Sequence, residues 1–221
     1  MLLNIAIVSL NRAKRMKRGY DAVLTIEDPR AKNPLRFHRR PHPDHLVLRF
    51  EDVDDDLRPK IAAASDDQVR SAIDFGRCHA SGRLLIHCFA GVSRSTAIGL
   101  AIIADRLGAG RESEAVEHLL RVSPTAKPNL HVLRRADVLL KRRGRLFENW
   151  MKVEMSDPGY AHYRNQKRDA LTRFHQLFAA ETDVQFPIVH HRGIEADHGV
   201  IGISNSSLSS SAIAADDLLI R

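Results

Sequence analysis

The stretch from Gly82 to Leu107 constrains the fold of this chain more than any other part of it. Arg83–His87 (RLLIH) is a continuous apolar run entered from Gly82, the pattern of a strand buried on both faces. A short loop containing Gly91 follows, and Ser95–Leu107 then places Ile98, Ala101 and Ile102 at helical spacing. A buried strand that turns through a short loop into a helix is the unit from which helix-covered sheets are built.

The rest of the chain supplies partners for that unit. Asn4–Leu10 and Tyr20–Glu27 (YDAVLTIE) are short apolar runs, separated by a basic stretch, Arg12–Arg18, that reads as one helix with an exposed charged face. His45–Phe50 (HLVLRF) alternates apolar and charged residues as a half-buried strand does, after a loop punctuated by Pro29, Pro34, Pro41 and Pro43. Ser65–Phe75 reads as a helix with Ser65 as its N-cap and Val69, Ala72, Ile73 and Phe75 on its apolar side. Glu112–Val122 and Asn129–Arg142 follow as amphipathic helices.

This order predicts an α/β fold with a central mixed or mostly parallel sheet flanked by helices, in a domain of residues 1–145. Residues 146–180 are expected as a helical extension, with a helix over 161–180 through Leu171, Phe174, Leu177 and Phe178. Residues 181–221 turn polar and Ser-rich (SNSSLSSS at 204–211), a composition that buries little surface and is expected to form a flexible tail.

Composition excludes several classes of function. The apolar stretches Ile5–Leu10 and Ala97–Ala104 are far short of the roughly 18 residues of a membrane span. The N-terminus is apolar first and basic afterwards, the reverse of a secretory signal. Two cysteines, Cys78 and Cys88, are too few for a disulfide framework and fit a reducing cytoplasm, where the chain is expected to act. Neither His42 with His45 nor His190 with His191 has the spacing or Cys partners of a metal site, so no metal and no cofactor are expected.

The formal net charge of +7 is unevenly spread. Residues 181–221 hold two basic and six acidic side chains, leaving the first 180 residues at +11. That balance suits nucleic acid, and equally an anionic substrate such as a phosphate ester. With aromatics at only 5% and no recognition motif in the chain, nucleic acid is not the expected partner.

The chemistry concentrates in His87–Thr96 (HCFAGVSRST), where five loop residues separate Cys88 from Arg94 and hydroxyls open the next helix. A helix N-terminus presents unpaired N–H groups and partial positive charge, which together attract an anion. The backbone from Phe89 through Ala90, Gly91, Val92 and Ser93 to Arg94 is placed to wrap N–H donors around phosphate oxygens, with Gly91 permitting the tight turn. Arg94 adds a planar fork that grips two oxygens. Cys88 sits in that positive field, where thiol pKa values fall from about 8.5 to roughly 3.5–7.5, so a nucleophilic thiolate is expected. His87 is expected to orient the loop and to belong with it to the substrate-binding site, and Ser95 to stabilise the thiolate as it leaves.

His87-Cys88, five residues, then Arg94-Ser95 resembles the active-site signature of the cysteine-dependent protein tyrosine phosphatases. The wording Ala90-Gly91-Val92-Ser93-Arg94-Ser95 is most similar to the dual-specificity branch and its bacterial relatives. The resemblance extends more weakly over residues 4–140 and does not cover 150–221. It implies a phosphocysteine intermediate, a phosphorylated protein as substrate, and a loop Asp that first protonates the leaving oxygen and then activates water. Asp52 closes a strand as the family's acid does, although it lies 36 residues before Cys88, farther than is usual. Asp54, Asp55 and Asp56 fit the spacing better and the strand context worse; Asp52 is favoured.

The five loop residues are uncharged, unlike the Lys-bearing loops of the family's lipid phosphatases and the more basic loops of rhodanese-type sulfur transferases. The rival reading is a non-catalytic phosphoprotein-binding module that uses the same loop. Cys78 reads as a structural thiol, with reversible disulfide formation to an oxidised Cys88 as the alternative.

Overall fold

The computed structural model describes residues 4–30, 42–55 and 62–182, with side chains up to 173. The chain divides into two compact units, Met1–Ala179 and Ala180–Arg221, and the elements that build the site belong to the first. The Ser-rich segment expected as a tail and Asp56 lie outside the described residues.

Among the described residues, four strands form one sheet: β1 (Ile5–Ser9), β2 (Ala22–Glu27), β3 (His45–Arg49) and β4 (Leu84–Cys88). Their order is β1-β4-β2-β3, and every pairing is parallel. The sheet is thus parallel throughout its described strands, where a mixed or mostly parallel one was expected. A helix or long crossover follows each strand, and parallel strands require such connections. The apolar run read as a central strand, β4, lies between β1 and β2, in register with Ser9 at Cys88 and with Thr25 at His87.

Alternation along the strands separates two cores. Ile5, Ile7, Ala22, Leu24, Ile26, Leu84, Ile86 and Cys88 face one side, where they pack with helices α2 (Asp66–Cys78), α3 (Arg94–Leu107), α4 (Glu112–Val122) and α5 (Leu130–Leu139). Val8, Val23 and Leu85 face the other side and pack with Ala13 and Met16 of α1 (Leu10–Met16). Helix α3 is buried along Arg94–Ala104, which is why its sequence is apolar nearly all round and not along one stripe.

Local signals explain two of the helix starts. Ser65 caps α2 in a reciprocal capping box: its hydroxyl accepts from Gln68 N–H at 3.2 Å, and Gln68 Oε1 accepts from Ser65 N–H at 3.0 Å. Asn129 caps α5, accepting from Val132 N–H at 2.9 Å.

The anticipated domain edge at residue 145 falls between α5 and α6 (Arg145–Ser156), the first helix of the stretch expected as an extension. Leu146 and Trp150 of α6 are fully buried in the same core as α2–α5, so the core continues past that position. The last helix among the described residues, α7 (Pro158–Thr182), covers the expected 161–180 helix and begins three residues earlier. No helix among the described residues is long and apolar enough to cross a membrane.

Candidate active site

The site lies beyond the carboxyl end of β4, where open parallel sheets commonly hold ligands. Cys88 is the last residue of that strand and is 3% exposed. Its sulfur accepts from Gly91 N–H at 3.2 Å and is hydrogen-bonded to Ser95 Oγ at 3.2 Å. The loop therefore curls over the sulfur, and the first turn of α3 closes it from the far side.

Gly91 makes that curl possible. Its φ of +77° is one that residues with a side chain rarely adopt. A Cβ there would also lie 2.5 Å from both Ser9 N and Val8 C, inside the backbone of β1. The loop is braced from outside as well: Lys127 N–H donates to Val92 O at 2.9 Å, Thr96 Oγ1 to Ser93 O at 2.8 Å, and Leu10 N–H to Phe89 O at 3.0 Å.

Arg94 is the first residue of α3 and is 8% exposed. Its Nη1 donates to Phe50 O at 3.1 Å, which fixes one side of the guanidinium, while its buried Nε meets no acceptor among the described residues. Phe89 is 68% exposed at the rim, and Ala90 is exposed beside it.

His87 lies on the opposite face of β4 from Cys88. Its Nε2 is hydrogen-bonded to Thr25 Oγ1 at 2.8 Å, which in turn bonds His45 Nε2 at 2.7 Å. Burial pushes the imidazole down to about 4, against a smaller upward pull from its bond to the Cys88 carbonyl, so it is neutral at physiological pH. His87 thus braces the strand beneath the loop and does not reach into it.

The four aspartates considered as proton donors separate by their surroundings. Asp52 lies beyond the end of β3 and reaches the loop, its Oδ1 accepting from Ser93 Oγ at 2.7 Å and from Asn129 Nδ2 at 2.8 Å. Asp54 is engaged elsewhere: its carboxylate accepts from Leu130 N–H at 2.9 Å and from Arg164 of α7 at 3.2 Å. Asp55 is exposed, and Asp56 lies outside the described residues.

Sequence reasoning missed a contribution from α7. Lys167 Nζ donates to Asp52 Oδ1 at 2.8 Å, to Asp54 Oδ1 at 3.0 Å and to Ser93 Oγ at 3.2 Å. Burial raises the Asp52 carboxyl, but the Lys167 ammonium and Arg94 guanidinium outweigh it and hold the group below the usual carboxylate range. No short-range signal marks Lys167, which stands 115 residues from Asp52. Among the described residues, no group of three His, Cys, Asp or Glu side chains is arranged to hold a metal ion. Cys78 is exposed at the end of α2, and both thiols are free.

No family model and no curated protein sequence matches this chain. Solved structures similar to it include human DUSP28, with a TM-score of 0.48 and 16% identity over 63% of this chain and 93% of that one. The Yvh1 phosphatase domain from Chaetomium thermophilum gives a TM-score of 0.44 and 21% identity over 66% and 95%. A human tyrosine phosphatase-like serine/threonine/tyrosine-interacting protein gives 0.45 and 17% over 60% and 84%.

Proposed function

We propose that this chain is a cysteine-dependent phosphatase of the dual-specificity type that hydrolyses phosphotyrosine in proteins, and acts in the cytoplasm. The observation that carries the reading is the placement of the Cys88 sulfur, held 3.2 Å from both Gly91 N and Ser95 Oγ under a loop that leads into α3. A phosphoryl group bound above that sulfur meets the N-terminus of α3 and the buried Nε of Arg94. Exposed Phe89 adds an apolar edge beside the nucleophile, suited to an aryl ester.

The chemistry runs in two steps. Cys88, as thiolate, attacks phosphorus; the S–P bond forms as the bond to the tyrosyl oxygen breaks, and Asp52 gives that oxygen its proton. Water then attacks the phosphocysteine and yields a proton to Asp52, and the S–P bond breaks to release inorganic phosphate. Ser95 donates a hydrogen bond to the departing sulfur. Arg94 holds two equatorial oxygens through both steps. None of these steps calls for a metal ion, so chelators should leave turnover unchanged.

A second reading, a phosphoprotein-binding module without turnover, draws on one observation: Asp52 is held charged by Lys167, and a carboxylate accepts protons instead of donating them. Hydrolysis of a small aryl phosphate by wild type beside Cys88→Ser separates the two. Turnover lost in the variant supports the enzyme, whereas no turnover in either protein leaves the binding module.

A further inference from the structure

Helix α7 follows the core that carries Cys88, yet one of its faces meets the site. Tyr163, Arg164 and Lys167 lie within one turn of each other, which puts them side by side on that face. Arg164 ties the helix down: it bonds Glu154 of α6, donates to Pro128 O at 2.8 Å, and pairs with Asp54 at 3.2 Å. Lys127 lies 4.6 Å above the Tyr163 ring on the same side. With the helix so anchored, Lys167 is 10% exposed and touches Asp52, Asp54 and Ser93 together.

We propose that Lys167 is a positioning residue of the phosphatase site: it clamps Asp52 through Oδ1 against Ser93 and Asn129 and leaves Oδ2 as the oxygen that exchanges the proton. Among the described residues, all three bonds that the Asp52 side chain accepts fall on Oδ1, which makes the two carboxylate oxygens unequal. An ion pair fully in water contributes little, but this ammonium is nine-tenths covered and shared among three oxygens, so its geometry is fixed. The charged or titratable groups facing Asp52 are Lys167 and Tyr163 of α7 and Arg94 of α3, with Asp54 on its own loop competing for Lys167. Ser93 and Asn129 contribute neutral donors.

The clamp has a chemical consequence. A general acid must be protonated when the leaving group departs, and a fixed ammonium on its other oxygen opposes that state. Lys167 therefore sets the pH above which the first step fails, and α7 becomes part of the active site. The role assigned to Asp52 rests on the phosphatase reading; the coupling between Lys167 and Asp52 does not need turnover to be measured.

The test uses the full chain as wild type, Lys167→Met, Lys167→Gln and Lys167→Arg, with ¹³C-labelled aspartate. The Asp52 carboxyl signal is assigned by its disappearance in Asp52→Asn. Its titration midpoint should rise by about one pH unit or more in the Met and Gln variants and return close to wild type in the Arg variant. Gln keeps a donor without charge, so a rise there identifies the charge and not the lost contact. The alkaline limb of kcat/KM for an aryl phosphate should move with the carboxyl. A midpoint unchanged in both the Met and Gln variants overturns the proposal, as does a limb that stays in place while the carboxyl shifts. Turnover that is absent, or equal in wild type and Cys88→Ser, removes the phosphatase reading instead, and the carboxyl titration still decides the clamp.

Discussion

The Cys88 sulfur and the Ser95 hydroxyl oxygen lie 3.2 Å apart, one at the end of a strand and the other in the first turn of the following helix. A hydroxyl in that position is of most use when negative charge returns to sulfur. Ser95→Ala should therefore slow breakdown of the phosphocysteine more than its formation. Rapid-quench kinetics with an aryl phosphate should show a burst of phenol followed by a steady state slowed by about a hundredfold. Equal slowing of both phases would remove the assignment of Ser95 to the second step.

Gly91 is the position where a single methyl group should undo the site. The Cβ of Gly91→Ala would sit 2.5 Å from backbone atoms of Val8 and Ser9 at a φ of +77°. The loop must shift away from β1, at a cost of about 1–3 kcal/mol in urea unfolding and with loss of oxoanion binding. An alanine variant that binds vanadate as wild type does would contradict this account of the loop.

Asp137 holds the start of α6 from the preceding helix, accepting from Gly144 N–H at 2.6 Å, Leu146 N–H at 2.7 Å and Phe147 N–H at 3.1 Å. Removing that carboxylate leaves three donors unsatisfied at the entry to the Trp150 helix. Asp137→Ala should lower stability by about 2–3 kcal/mol, read from the urea midpoint at constant slope. Aryl phosphate turnover should persist wherever the chain remains folded, because none of these atoms touches the loop.

Acid should destabilise the fold through His87. Its imidazole titrates near 4 in the native chain and near 6.5 when unfolded, so between those values the unfolded state binds the extra proton. Unfolding free energy should accordingly rise with pH across that window and fall by up to about 3 kcal/mol on the way down through it. Replacing the ring by a neutral amide in His87→Gln should flatten this part of the curve, whatever it does to the absolute stability. An identical slope in both proteins would show that another group carries the dependence.

The parts of the molecule legible from sequence are those whose determinants are local. Ser65 and Gln68 stand three residues apart and define the start of α2 by themselves. The β4–loop–α3 unit was readable for a similar reason, since strand, turn glycine and buried helix follow one another without interruption. Within the stretch expected to be helical, the start of α6 carries no local mark because its first-turn donors are capped by Asp137, a residue of another helix, while its own N-cap is Gly144, which has no side chain to signal a start. The contact of Lys167 with Asp52 was illegible for the same physical reason on a longer scale. The apolar spacing of α7 marks Leu171 and its helical neighbours, whereas the contact with Asp52 is made by a single cation whose partner is fixed only by the tertiary fold.

The sheet order also carries a consequence for how the polypeptide is assembled. β1 and β2 come first in the chain but do not pair with each other; each pairs with β4. Without residues 84–88, β2 and β3 keep each other as partners, whereas β1 lacks the strand it pairs with in the folded sheet. The segment that joins them ends in Cys88. Closure of the sheet and placement of Cys88 are therefore a single long-range event, intrinsically slower than local pairing. A ribosome-bound fragment that stops short of residue 84 should stay protease-sensitive, and one that includes α3 should gain protection and its oxoanion pocket together.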